Sequence, residues 1–177
     1  MREDIARITH RGIGMPAAGI AFWLAAAQFL QSLTLHDAIL AMFISTGAVF
    51  PLGVMVSKLI GADLFSRGHP LTKLGMTLNF VQFAYWPILI VLFKVAPEWV
   101  VFAMATLFSS HFLPYGWFYR SAGYTGLGIA GVVVPLGMAI AGTRRPELVA
   151  LAMAAVYSIA VVRVHAENRR SFALAAA

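Results

Sequence analysis

The chain has 177 residues, of which 60% are hydrophobic and only 11% are charged, and its formal net charge is +6. Soluble domains are typically about 45–50% apolar, and a small one leaves much of its surface exposed to water. This composition excludes a soluble enzyme, a soluble nucleic-acid-binding domain and a disordered chain. The absence of cysteine excludes disulfides, thiolate metal sites and cysteine nucleophiles.

Long apolar runs follow one another along the chain. A helix that crosses a membrane needs about 20 mostly apolar residues, and six runs meet this requirement. We therefore predict an all-α, polytopic membrane helix bundle that forms a single domain over residues 1–177. Asp37, Glu98 and Glu147 stand in the first turns of their helices, where a carboxylate complements the helix dipole. The six predicted transmembrane helices cover residues 15–33, 37–60, 74–95, 98–117, 124–141 and 146–164.

Four prolines lie inside these runs, at Pro51, Pro87, Pro114 and Pro135. Each removes a helix hydrogen bond and clashes with the preceding turn, so each predicts a kink. In lipid, the carbonyls that a kink frees must find partners within the protein. Four kinked helices therefore favour a bundle with an internal cavity or cleft.

The motif Gly-x-Val-x-Pro-Leu-Gly occurs twice, at residues 47–53 and 131–137. The two copies fall in the second and fifth predicted helices, which occupy equivalent positions in a three-plus-three arrangement. This spacing is typical of inverted-repeat transporters, whose Gly/Pro-interrupted helices point to the binding site. The alternative is coincidence, because glycine and proline are frequent in membrane helices.

Basic residues in the tails, in the loops and near the ends of the spans are divided unequally between the two sides, ten against three. This bias predicts that both termini lie in the cytoplasm. It also explains the positive charge by attraction to anionic membrane lipid, so we expect lipid and no nucleic acid as a partner. The ten on the predicted cytoplasmic side are Arg2, Arg7, Arg11, Lys58, Arg67, Lys73, Arg120, Arg163, Arg169 and Arg170. The three on the other side are Lys94, Arg144 and Arg145.

The spans contain no central carboxylate, lysine or arginine, and His111 is the one ionisable candidate. A hairpin of the third and fourth helices that turns near Pro97 brings Gln82 level with His111 and Asn79 level with Tyr115. These side chains predict a polar and aromatic pocket in the cytoplasmic half of the membrane. The alternative is that they join helices by hydrogen bonds worth about 0.6 kcal/mol each. The six expected ligand-binding residues are Asn79, Gln82, Ser110, His111, Tyr115 and Tyr157.

The histidines are scattered along the chain, and none has the spacing of a metal site. No phosphate-binding glycine loop, Ser-His-Asp set or paired carboxylate supports soluble-type catalysis. We therefore expect no catalytic residues, no metal and no cofactor, and the sequence favours a protein that is not an enzyme.

Three segments resemble those of an uncharacterised family of small bacterial polytopic inner-membrane proteins. They cover residues 50–60, 79–82 and 111–119, and the His-Phe-x-Pro-Tyr-Gly-Trp-Phe-Tyr string that begins at His111 is the specific one. The resemblance implies a multi-pass protein of the bacterial cytoplasmic membrane, and it implies no activity.

These observations together predict an integral membrane protein that binds or carries a small molecule or a lipid in a pocket open to the cytoplasmic half. The alternative is a non-catalytic accessory or scaffold subunit, which assembles with itself or with a larger membrane complex. Glycines that suit such an assembly, including a homo-oligomer, crowd the start of the fifth predicted helix. They are Gly123, Gly126, Gly128 and Gly131.

Overall fold

The computed structural model describes residues 1–66 and 68–176, and every regular element within them is helical. The predicted all-α class is therefore confirmed. Arg67, which belongs to the predicted cytoplasmic set, and Ala177 lie outside the described residues. The α-helices are α1 (Arg2–Ile8), α2 (Gly14–Ser32), α3 (Leu35–Leu59), α4 (Thr72–Phe80), α5 (Trp86–Val95), α6 (Val100–Ser110), α7 (Leu113–Phe118), α8 (Ala122–Ile140) and α9 (Pro146–Ala176). Short 3₁₀ helices cover His10–Gly12, Val81–Tyr85 and Pro97–Trp99.

Five helical stretches of the described residues are long and apolar enough to cross a membrane. They correspond to five of the six predicted runs, so a membrane protein is the class that the helices indicate. The stretches are His10–Ser32, Leu35–Leu59, Thr72–Val95, Ala122–Ile140 and Pro146–Ala173.

The fourth predicted helix, over residues 98–117, is not continuous. It divides into the 3₁₀ helix Pro97–Trp99 and the helices α6 and α7, which are separated by His111 and Phe112. Pro114 lies in the first turn of α7. A proline is accommodated there without losing a hydrogen bond, so the helix restarts where the sequence predicted a kink.

The same effect divides the third predicted helix. The 3₁₀ helix Val81–Tyr85 separates α4 from α5, and Pro87 lies in the first turn of α5. Pro51 and Pro135 differ, because α3 and α8 continue through them.

Two ends of the chain carry more helix than expected. The last helix runs from Pro146 to Ala176, well beyond the predicted end at residue 164, because no glycine or proline interrupts it. The charged N-terminal segment also forms a helix, α1, whose Ile5 and Ala6 are buried. Burial of this short apolar face holds α1 against the bundle.

Glycines bring four long helices close together. α2 lies antiparallel between α3 and α9, since a Cβ atom at Gly14 would overlap the Gly53 backbone and one at Gly19 would overlap the Tyr157 ring. α8 packs antiparallel against the other side of α9, with Gly123 beside Val164. Small residues allow such close approach in membrane bundles.

The α6–α7 pair packs along α8. Ser109 lies against Gly131, Leu113 against Gly128, and Gly116 against Thr125. The residue numbers rise on one side as they fall on the other, so the broken segment is antiparallel to α8 and as long as its neighbour.

The first and last segments of the chain meet at one end of the bundle. Arg11, which is 4% exposed, donates hydrogen bonds to Asn168 Oδ1 and Ser171 Oγ, both at 2.8 Å. Asn168 Nδ2 in turn donates to the His10 carbonyl at 2.8 Å. Arg120, in the connection before α8, reaches Glu3 of α1 at 3.4 Å. Both termini and the α7–α8 connection therefore share this end.

The two copies of the predicted repeat have different surroundings. Gly47 has open space around it, whereas the corresponding Gly131 is packed against Ser109. The second glycines show the reverse, because Gly53 is packed against Met15 and Gly137 is open. The proposed three-plus-three symmetry is not confirmed.

Candidate functional site

A cavity of about 530 Å³ lies inside the bundle, between α3 and the α4–α5 segment. Its size falls in the range of small-molecule sites, about 300–1,000 Å³. It is lined by α2 (Met15, Gly19, Phe22, Trp23), α3 (Phe43, Ile44, Thr46, Gly47, Val49, Phe50, Pro51), the α4–α5 segment (Asn79, Phe80, Gln82, Phe83, Trp86), α6 (Phe108), the break between α6 and α7 (His111, Phe112) and α9 (Tyr157).

Four of the six residues expected in a pocket line this cavity, namely Asn79, Gln82, His111 and Tyr157. Tyr115 lines a smaller neighbouring cavity, which shares Asn79 with the larger one. Ser110 lines neither; its hydroxyl donates to the Leu107 carbonyl of its own helix at 2.9 Å.

His111 is placed by the break between α6 and α7. It is the C-cap residue that follows α6, and its ring lies 4.1 Å from the Phe112 ring, centroid to centroid. The Nδ1 atom is 2.5 Å from the Phe108 carbonyl oxygen. A carbonyl can only accept, so Nδ1 carries the proton, and in the neutral imidazole Nε2 is left as an acceptor.

Asn79 and Gln82 come from the stretch where α4 gives way to the 3₁₀ helix Val81–Tyr85. A short 3₁₀ stretch within a longer helix often marks a functional hinge. Both side chains are half-buried, and neither makes a hydrogen bond with any other described residue. Each amide therefore retains donors and an acceptor for a ligand.

Tyr157 is held in place from three sides. Its ring lies against Gly19 of α2, and its centroid is 6.4 Å from that of Trp23. Its hydroxyl lies 3.4 Å from both Ser109 Oγ and the Phe108 carbonyl. The phenol therefore has two roles: it joins α9 to α6 through these long hydrogen bonds, and it forms part of the cavity wall.

The second cavity, of about 50 Å³, lies beside a cluster of tyrosines toward the end of the bundle that holds α1. Tyr115 donates to the Gly75 carbonyl at 2.8 Å, and Tyr124 donates to the Arg11 carbonyl at 2.7 Å. The rings of Tyr115 and Tyr119 stack at 5.6 Å. Tyr115 thus connects α7 to α4 and packs the cluster.

Sequence reasoning missed the wall of the cavity that α2 and α3 provide, including Trp23, Phe43 and Phe50. In a span that is apolar on every side, periodicity does not separate residues that face the interior from those that face lipid. It also missed the buried Arg11. The one available signal was the position of Arg11 directly before a long apolar run. A charged group next to a membrane span requires partners within the protein.

The cavity wall offers apolar contacts and neutral hydrogen-bonding groups. The lining has no Asp, Glu, Lys or Arg, and its polar groups are two amides, an imidazole, a phenol, the hydroxyl of Thr46 and the indole N–H groups of Trp23 and Trp86. Among the residues that the structure describes, no three His, Asp or Glu side chains are grouped as metal ligands.

Fold and cavity together define the class of a helical, membrane-type protein with an internal cavity. The chain belongs to a family of unknown function, DUF7010, whose family model matches residues 1–167. The expected membership of an uncharacterised family is thereby confirmed, while the bacterial origin stays a prediction. A search of curated proteins finds no match, and neither does a search of solved structures.

Proposed function

We propose that this protein is a multi-pass membrane protein that binds or carries a small molecule or a lipid in the 530 Å³ cavity. The observation that carries the proposal is the convergence of Asn79, Gln82 and His111 on one cavity from different helices. Ligand sites of this kind are mostly apolar, with a few polar groups that orient the ligand.

We further propose six crossings, with the α6–α7 pair as the fourth. The length of this pair matches α8, along which it packs from Ser109 to Gly116. The contacts of Arg11 with Asn168 and Ser171 bring both ends of the chain to one end of the bundle. An even number of crossings follows from termini on the same side.

We propose that this end faces the cytoplasm of a bacterium, with the protein in the inner membrane. Ten of the thirteen basic residues are assigned to this side, and a lysine and arginine excess in short loops is typical of the cytoplasmic side. The cavity residues of α2, Met15 to Trp23, belong to the half of that helix nearest this end.

Assembly with a larger complex is the second candidate, and its support is weaker. Three of the four glycines that suggested it are used within the chain: Gly123, Gly128 and Gly131 pack against Val164, Leu113 and Ser109. Gly126 alone of these four has open space around it.

A stability screen tests the proposed binding. The purified protein in lipid nanodiscs is exposed to panels of metabolites and lipids, and its melting temperature is recorded. We expect at least one compound to stabilise the wild type but not Gln82→Leu or His111→Phe. Ser110→Ala is the matched control, because Ser110 lines neither cavity, and it should respond like the wild type. The proposal fails if no compound stabilises the wild type, or if all variants respond equally.

A further inference from the structure

The cavity has an opening in the side of the bundle. Five of its lining residues are also exposed, and they form two stripes, one on α3 and one on the α4–α5 segment. On α3 the stripe is Ile44, Gly47 and Pro51, which share one face of the helix; on the α4–α5 segment it is Phe80 and Phe83. The exposed fractions of Ile44, Phe83 and Phe80 are 80%, 58% and 53%. We call this opening the side slot.

The side slot lies near the middle of α3. Ile44 is nine residues after Leu35, and Pro51 is eight residues before Leu59. At 1.5 Å per residue, either end of the helix is about 12 Å away or more. With α3 as a membrane span, an opening at this depth meets hydrocarbon and not water, which agrees with its apolar rim.

The inner lining restricts the ligand's polar group. A charged head would lose its hydration without meeting an opposite charge, because no charged residue lines the cavity. His111 offers an acceptor at Nε2, and the amides of Asn79 and Gln82 offer donors. A hydroxyl group both donates and accepts, so it satisfies these two kinds of partner at once.

We infer that the ligand is a long-chain lipid alcohol, which enters sideways from the hydrocarbon through the side slot. Its chain lies among the aromatic side chains of the cavity, and its hydroxyl reaches His111 and the two amides. This inference rests on the proposed binding function and specifies the ligand class and the route of entry.

Photo-crosslinking tests the ligand class in nanodiscs. The probe is an octadecanol that carries a diazirine and an alkyne, and the matched probes are the corresponding carboxylate and methyl ether. The alcohol should label peptides from residues 43–51 and 79–86 at least about tenfold more than either, the loss expected for one unsatisfied hydrogen bond. Unlabelled oleyl alcohol and dioleoylglycerol, added as competitors, distinguish single-chain from two-chain alcohols as the source.

Variants of the rim test the route. Gly47→Phe fills the side slot, and its matched control is Gly137→Phe; neither glycine has an atom within 4 Å of the position of a Cβ. We expect at least about tenfold less labelling in Gly47→Phe and unchanged labelling in Gly137→Phe. Ile44→Trp provides a second obstruction of the same rim, should Gly47→Phe fail to fold.

The inference is overturned if the carboxylate or the ether labels the cavity as well as the alcohol, or if both rim variants label like the wild type. The stability screen separates this outcome from failure of the proposed function. A water-soluble compound that stabilises the wild type but not Gln82→Leu would retain the binding function and exclude the lipid alcohol. If neither experiment gives a ligand, both proposals are wrong.

Discussion

The bundle has a tightly packed side and a loosely packed side. In an apolar 18-residue window of His10–Ser32, which contains α2, half of the residues are buried, against 6% in the corresponding window of Thr72–Val95, which contains α4 and α5. Glycines of α2 and α8 admit neighbouring helices, whereas the α4–α5 segment carries aromatic side chains and a 3₁₀ interruption. Close packing between membrane helices depends on small residues, so the cavity lies where such residues are scarce.

The largest effect should come from filling a tight contact. In Gly131→Leu the new side chain would overlap Ser109 of α6, and we expect a loss of about 3 kcal/mol in the free energy of unfolding. Gly126→Leu is the control on the same helix, because open space surrounds Gly126. The control should be as stable as the wild type, or more stable, since leucine favours helix. Reversible unfolding in mixed micelles measures both; equal losses would contradict the packing described here.

Loss of Asn168 should come next. Its side chain accepts from Arg11 and donates to the His10 carbonyl, and the residue is buried. Asn168→Ala leaves a buried guanidinium and a carbonyl short of partners, which should cost about 2 kcal/mol. Arg169→Ala changes the exposed neighbour and should shift stability by no more than about 0.5 kcal/mol. A result in which both variants unfold alike would show that Arg11 does not depend on this contact.

A smaller loss of stability is expected when the hydrogen bond that joins the loosely packed side to α7 is removed. Tyr115 donates to the Gly75 carbonyl of α4, and Tyr115→Phe should lose about 1 kcal/mol. Its main consequence should be local, as faster hydrogen exchange of amides in α4 with little change in α8. Tyr85→Phe is the control, because no hydrogen bond joins the Tyr85 hydroxyl to another described residue. Uniformly faster exchange throughout the bundle would instead place Tyr115 in the tightly packed side.

Much of the fold could be predicted, because a membrane span is recognised by its length and hydrophobicity alone. The breaks within the third and fourth predicted helices could not be predicted. Pro87 and Pro114 indicate disturbed helices, but whether the chain kinks or restarts depends on the partners available to the freed backbone groups. The contact between Arg11 and Asn168 was also beyond reach, since 157 residues separate them.

The site also has a part that could be predicted and a part that could not. Asn79, Gln82 and His111 could be brought together from the sequence because they belong to one hairpin, whose register follows from its turn near Pro97. For Tyr157 the sequence predicted only its depth in the membrane. Phe43 and Phe50 of α3 could not be predicted to face inward, since only the packing of α3 against its neighbours decides which side is internal.

The smallest effect is expected from the N-terminal cap of α3, the helix that carries one rim of the side slot. Thr34 caps α3, accepting from the Asp37 amide at 3.2 Å and donating to its carboxylate at 2.8 Å. Thr34→Ala should cost about 0.5 kcal/mol, toward the low end for a cap because both side chains are exposed. Thr34→Ser retains the hydroxyl, so its free energy of unfolding should equal that of the wild type. In an apolar 18-residue window of α3 only 17% of the residues are buried, against 33% in that of α8. Fraying should therefore extend further into α3 than an equivalent loss would in α8, where Ser121 caps by accepting from the Tyr124 amide. Hydrogen exchange in Thr34→Ala and Ser121→Ala compares the two directly, and equal fraying would mean that packing does not limit it.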